Sequence, residues 1–202
     1  MAKFIVFEGI DGSGKSTQIR ALAKRLRDEG RRVYVTAEPT ESVSGGMLRD
    51  ALSGIAKRSA CELASLFLLD RINHNVNPVT GIKKLLDADF DVICDRYYYS
   101  TLAYQGSETD FEWVRKMNVD CPEILRPDVC IFLDIDPDVS MSRINRSDRG
   151  FTEIYEKAEK LRAVREKYFY TFERLTDNIK VIDAARDVET IAEDIFRAVK
   201  EA

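Results

Sequence analysis

Two rhythms of apolar and polar positions alternate along this chain. Short, nearly continuous apolar runs at Lys3 to Glu8, Arg32 to Thr36, Asp91 to Cys94, Val129 to Leu133 and Lys180 to Ile182 predict five strands. Between them, apolar residues recur at helical spacing. Ile19, Leu22, Ala23 and Leu26 predict a first helix, which Gly30 stops. A short helix is expected over Met47 to Leu52. A longer one is expected over Glu62 to Asn75, with Leu63, Leu66, Phe67 and Leu69 on a wide apolar face. Pro78 interrupts it, and a helix resumes through Ile82, Leu85 and Leu86. Helical segments follow around Ser100 to Gln105 and Phe111 to Asn118, with loops at Pro122 and Pro127. After the fourth strand a helix starts near Asp138, and a long one runs from about Glu153 to Leu175. The last helix carries Ile191, Ile195, Phe196 and Val199.

Strands alternating with helices predict an α/β fold in three layers: a five-stranded parallel sheet with helices on both faces. The 202 residues suit a single domain, and no internal repeat or low-complexity segment divides them. A ligand site is expected at the C-terminal ends of the strands.

The segment joining the first strand to the first helix sharpens that expectation. Gly9-Ile10-Asp11-Gly12-Ser13-Gly14-Lys15-Ser16-Thr17 fits G-x-x-x-x-G-K-[ST], the phosphate-binding loop. Its glycines let backbone N–H groups turn inward around a phosphate, and the helix amino end adds a favourable field. Lys15 would reach the terminal phosphates, and the Ser16 hydroxyl would bind Mg²⁺. The competing reading is a glycine-rich turn that binds nothing; the strand and helix on either side weigh against it.

Polar residues gather after the other strand ends. Asp95 follows a buried strand, so it is a candidate Mg²⁺ ligand, direct or through water, or else the cap of a helix starting near Tyr97. Arg96 suits bidentate phosphate binding, or a plain ion pair with a nearby carboxylate. Asp134 and Asp136 precede Pro137 and read as turn and N-cap residues. Arg143, Arg146 and Arg149 crowd one stretch, opposed by Asp148 and closed by Gly150. Such a loop would fold over a polyphosphate and stabilise charge during phosphoryl transfer, although most charge runs are solvated turns. His74, the lone histidine, has no nucleophile arranged around it and is expected to be structural or at the surface. Tyr97, Tyr98, Tyr99 and Tyr104 are candidates for a base pocket, some of them for the core.

Composition narrows the classes. Hydrophobic residues make up 45% and charged residues 33%, as in a globular protein with a sizeable core. A net charge of -4 gives no general basic character for nucleic acid, and no apolar run suits a membrane span. The first strand follows Met1 closely, so no signal peptide is expected. Cys61, Cys94, Cys121 and Cys130 show no metal-ligand spacing, so a reduced cytoplasm is the simplest compartment.

Several stretches taken together resemble one family. The segment Phe7 to Gln18, the run Leu66-Phe67-Leu68-Leu69-Asp70-Arg71, the stretch Asp95 to Gly106, Phe132 to Pro137 and Val181 to Ala184 are similar, in order and spacing, to thymidylate kinases. The phosphate loop alone is common to many kinases; Asp95-Arg96-Tyr97 with Ala103-Tyr104-Gln105 is far more specific. The resemblance implies a P-loop kinase with a short lid at about residues 143–152. It implies transfer of the ATP γ-phosphoryl group to dTMP, with Mg²⁺ at Ser16 and Asp95, and a homodimer packed through helices. Gly9, Ile10, Asp11, Gly12, Ser13, Gly14, Lys15, Ser16 and Thr17 would bind ATP. Phe67 would stack on thymine, Arg71 would reach its O4, and Gln105 would help fix the base. Arg96 would hold the dTMP phosphate with Arg49 near it, Asp11 would meet the 3′-hydroxyl, and Tyr104 would pack under the deoxyribose. Glu38 and Ser100 complete the acceptor set.

Two departures matter. Some members carry an arginine in the loop where this chain has Gly12; those without it resemble a subgroup whose catalytic arginine comes from the lid, in line with Arg143, Arg146 and Arg149 acting beside Lys15 and Arg96. Many members also have arginine where this chain has Ala37, so a phosphate contact from this loop is not expected unless Arg49 supplies it. A kinase for another nucleoside monophosphate and a non-catalytic nucleotide-binding module stand as alternatives, with a vestigial loop in a structural protein a third.

Overall fold

The computed structural model describes residues 1–146 and 158–202. Strand β1 (Phe4–Glu8) is buried along its whole length and leads into helix α1 (Lys15–Asp28). Gly30, at φ 82°, ends that helix in the left-handed conformation that glycine adopts without steric cost. Then follow β2 (Arg32–Ala37), α2 (Val43–Leu52), α3 (Ala60–Val76), α4 (Ile82–Asp87), β3 (Phe90–Asp95) and α5 (Tyr98–Tyr104). A 3₁₀ turn at Gln105–Ser107 leads to α6 (Phe111–Val119) and β4 (Val129–Asp134). Helices α7 (Pro137–Arg146) and α8 (Ala158–Phe172), β5 (Ile179–Asp183) and α9 (Val188–Glu201) complete the chain.

The five strands form one parallel sheet in the order β2-β3-β1-β4-β5, as the alternating pattern predicts. Only the β1-to-β2 connection runs toward the β2 edge; the others run the opposite way. Right-handed crossovers therefore put α1 on one face and the helices between β2 and β5 on the other. Helix α9 returns to pack on α1. The pivot is β1, and its carboxyl end delivers Glu8 and the glycine loop between β3 and β4. Helix α8 lays Tyr168, Phe169 and Phe172 on Phe132 of β4, with ring centroids 4.8, 5.6 and 5.0 Å away. No helix among the described residues is long and apolar enough to cross a membrane.

The structure corrects two sequence expectations. Helix α2 starts at Val43 rather than near Met47, because the Ser42 side chain accepts from the Gly45 N–H and caps it. Helix α3 begins at Ala60 with a capping box between Ser59 and Glu62. Its inner face is Leu63, Ala64, Asp70, Arg71, His74 and Asn75, whereas Leu69 is 54% exposed. The apolar face expected there gives way to a polar one, because its partners are hydroxyls, an amide and the Glu38 carboxylate. Residues 153–157, expected as the start of the long helix, lie outside the described residues.

Removing the Phe132 ring should destabilise this sheet–helix core. Phe132→Ala is expected to cost about 3–5 kcal/mol in urea unfolding. A cost below about 1 kcal/mol would show that the ring cluster does not hold α8.

Candidate active site

The phosphate loop closes tightly on its own backbone. At Gly9, φ 144°, a Cβ would come within 2.7 Å of the Leu133 carbonyl and 2.8 Å of Ser13 Oγ, so only glycine lets β1 pass so near β4. Gly12 and Gly14 take φ 77° and 97°. The first turn of α1 contains no acidic residue, which leaves its amino end positive toward an anion. Lys15 Nζ donates to the Gly9 carbonyl at 3.0 Å, and burial, with Arg96 nearby, lowers its pKa. Ser16 and Thr17 are exposed at the mouth, and the buried Ser13 Oγ has no partner among the described residues.

Helix α5 is capped from a distance. Glu8, fully buried at the end of β1, accepts from the Tyr97 and Ser100 N–H groups at 2.8 and 3.1 Å. Its second oxygen accepts from Ser100 Oγ at 2.7 Å and Tyr168 Oη at 2.8 Å. One carboxylate thus ties β1 to α5 and α8. Burial pushes its pKa above the usual carboxylate range, against the pull of Arg96. With that cap supplied by Glu8, Asp95 is not the cap of this helix. Asp95 Oδ1 is buried without a partner among the described residues.

Arg96 adopts φ 68°, a strained conformation for a bulky residue. It pairs with Asp11 through Nη2, donates to Ser100 Oγ at 3.1 Å and lies 5.6 Å from the Tyr104 ring. Burial opposes its charge, but Asp11, Tyr104, Tyr168 and Glu8 more than offset that.

Of the residues expected to bind an acceptor nucleotide, Glu38, Phe67, Arg71, Arg96, Ser100, Tyr104 and Gln105 line one pocket. Pro39, Leu52, Tyr97 and Thr101 complete its wall. Arg71 is buried against Glu38, with Nε and Nη2 at 2.9 and 2.6 Å from Oε2. His74 Nδ1 holds the other Glu38 oxygen at 3.0 Å, and its Nε2 meets Thr36 Oγ1 at 2.8 Å. The histidine is therefore structural and buried. Tyr98 and Tyr99 point away, donating to Asp177 at 2.5 and 2.8 Å.

Other expected residues lie elsewhere. Arg49 does not line the pocket; its Nη1 donates to the Thr40 carbonyl at 2.5 Å. Arg143 donates to the Ala184 carbonyl at 3.2 Å. The Arg146 side chain and all of Arg149 lie outside the described residues. Asp136 caps α7 through the Asp138 N–H at 2.8 Å, as expected, while Asp134 takes both Arg165 donors at 2.6 and 2.8 Å. Sequence reasoning missed Ser140, whose hydroxyl donates to the Asp11 carbonyl and ties α7 to the loop. It also missed Glu8, although a carboxylate ending a fully apolar strand was a legible signal.

The site thus joins an anion-binding loop to a pocket lined by aromatic rings, by the buried Arg71 and by the partly exposed Arg96. Comparison with known proteins decides the family. A family model described as thymidylate kinase matches residues 7–195. The chain belongs to the thymidylate kinase family. A probable thymidylate kinase of Thermococcus onnurineus is 40% identical over 207 residues, covering 98% of this chain and 97% of its own. One of Methanocaldococcus jannaschii is 36% identical over 199 residues, covering 98% and 95%. A thymidylate kinase of Desulfotalea psychrophila is 37% identical over 204 residues, again covering 98% and 95%. The chain is like these kinases over nearly its full length.

The raised Glu8 pKa sets a sign for stability against pH. A proton on Glu8 favours the folded state, so that contribution is complete below about pH 4.5 and is lost as pH rises through the raised value. Relative to Glu8→Gln, the wild type is expected to lose stability as pH rises from 4.5 toward 8 in urea unfolding. Parallel profiles for the two proteins would refute the assignment.

Proposed function

We propose that this chain phosphorylates dTMP, transferring the ATP γ-phosphoryl group to give dTDP and ADP, as a step toward dTTP. The observation that carries this reading is one pocket lined by both Arg71 and Arg96, with Arg96 paired to Asp11 of the phosphate loop. A thymine ring fits against Phe67, with its O4 toward the Arg71 donors and Gln105 beside it. The acceptor phosphate then lies near Arg96, next to the loop that cradles ATP through Gly9 to Thr17. Ser100 orients Arg96, Tyr104 packs beneath the sugar, and Asp11 meets the 3′-hydroxyl. Arg49 reaches the acceptor phosphate only by leaving the Thr40 carbonyl.

Phosphoryl transfer asks the protein for alignment and charge stabilisation more than for covalent chemistry. Lys15 exchanges the Gly9 carbonyl for phosphate oxygens and keeps its proton beside them. The orphaned Asp95 oxygen and the exposed Ser16 hydroxyl fit Mg²⁺ arriving with ATP, a metal usually held by few protein groups plus phosphates. That ion would neutralise charge building on the β- and γ-phosphates. The segment of about residues 143–152 acts as the lid of a single domain, and Arg143, Arg146 and Arg149 supply the charge that Gly12 does not. Leu69 and Val76, exposed on one face of α3, support a homodimer packed through that helix. The chemistry suits the cytoplasm, where both nucleotides are made.

Turnover with Mg·ATP is expected with dTMP, and far less with CMP, AMP or GMP, read as ADP production. Turnover with another acceptor but not dTMP would overturn the substrate; none with any would leave a binding module. Lys15→Ala should lower kcat by at least about a hundredfold while the protein stays folded. Among single alanine replacements of Arg143, Arg146 and Arg149, at least one should cost a comparable factor of about a hundred. Three near-neutral results would return that segment to a solvated turn.

A further inference from the structure

The guanidinium of Arg71 is nearly used up before any substrate arrives. Its five N–H groups are all donors. Nε–H goes to Glu38; Nη2 gives one hydrogen to Glu38 and one to Thr101 Oγ1 at 3.0 Å; Nη1 gives one to the side-chain oxygen of Asn118. Four are committed, and one Nη1 hydrogen has no partner among the described residues. Arg71 is 1% exposed, so its plane is fixed by these partners rather than by water.

Asn118 decides where that remaining hydrogen points. It is fully buried in α6, across from α3. Its amide nitrogen donates to the Val114 carbonyl one helical turn earlier at 2.9 Å. That bond fixes the amide orientation, because only the oxygen can then face a donor. The carbonyl holds one Nη1 hydrogen, and the sp² geometry of the nitrogen sets the direction of the other.

Resting on the proposed dTMP reading, we infer that Asn118 is a specificity-positioning residue. By clamping Nη1 it makes Arg71 present a single, fixed donor to the base, so the ring must offer an acceptor at that point. A 4-carbonyl pyrimidine meets the donor; a 4-amino pyrimidine brings a second donor against it and leaves a buried N–H unpaired. Asn118 touches no substrate atom in this account and acts only through Arg71.

The test compares dTMP, dUMP and dCMP as acceptors for the full-length protein. Asn118→Leu keeps the size and removes the acceptor. It should raise the KM for dTMP about tenfold, the equivalent of one hydrogen bond to a charged group, with kcat and the KM for ATP within about twofold. The KM for dUMP should rise equally, because it carries the same 4-carbonyl, while the preference for dTMP over dCMP shrinks. Asn118→Ser, which shortens the side chain and leaves the helix intact, should move the same quantities the same way and serves if the leucine variant does not fold. Asn118→Asp keeps an acceptor and should stay nearer wild type than either. A folded Leu or Ser variant with unchanged dTMP KM and unchanged dTMP-to-dCMP preference would overturn the inference. So would a loss that falls on kcat or on ATP as heavily as on dTMP. Wild type failing to use dTMP would overturn the functional reading instead.

Discussion

The acceptor side of this site depends on one buried ion pair. Arg71 and Glu38 meet at 2.6 Å with side chains 1% and 2% exposed. Two charges out of water cost several kcal/mol each, and mutual attraction repays that only when the remaining donors and acceptors are also bonded. Here they are. His74 and Thr36 complete one side, Asn118 and Thr101 the other. The pair therefore pins the loop after β2, α3, α5 and α6 to one point. Removing either partner would leave a buried charge alone, typically a loss of about 3–5 kcal/mol. The same saturation that makes the pair affordable makes the Arg71 end of the pocket rigid.

The phosphate end follows the opposite logic. Arg96 and Asp11 are 20% and 19% exposed, and Lys15 rests on backbone carbonyls of its own loop. These contacts keep cations satisfied, but a phosphate dianion offers each a stronger, charge-assisted partner. In the proposed reaction the base end stays fixed while the phosphate end exchanges partners. Glu8 ties the phosphate end to the core. It caps α5, which carries Arg96 and Tyr104 near its ends, and ties in Tyr168 of α8. Helix α8 thus shares a foundation with the acceptor pocket, and Ser140 adds a direct link from α7 to the loop.

Much of this was legible in the sequence because it depends on local rules. Fully buried strands read as continuous apolar runs, and the glycine loop declares itself by composition and context. The resemblance to thymidylate kinases supplied Phe67, Arg71, Tyr104 and Gln105, which the fold gathers into one pocket. What escaped was long-range pairing. Leu69 fits the helical period of α3, yet the inward face is Asp70, Arg71, His74 and Asn75, because their partners come from the loop after β2 and from α5, α6 and β2. No window of sequence places Asn118 opposite Arg71, 47 positions away, or Glu8 beneath Ser100, 92 positions away. Asp95 could be set aside as the cap only once Glu8 was seen to fill that role.

The central claim is that the base-reading end is assembled before any nucleotide binds. Isothermal titration of dTMP and dCMP into the protein without ATP tests it most directly. The account predicts measurable binding of dTMP alone and a preference over dCMP of at least about tenfold, the price of one unmet hydrogen bond in a buried site. Binding of dTMP that appears only with an ATP analogue present, or equal affinity for dTMP and dCMP, would contradict it.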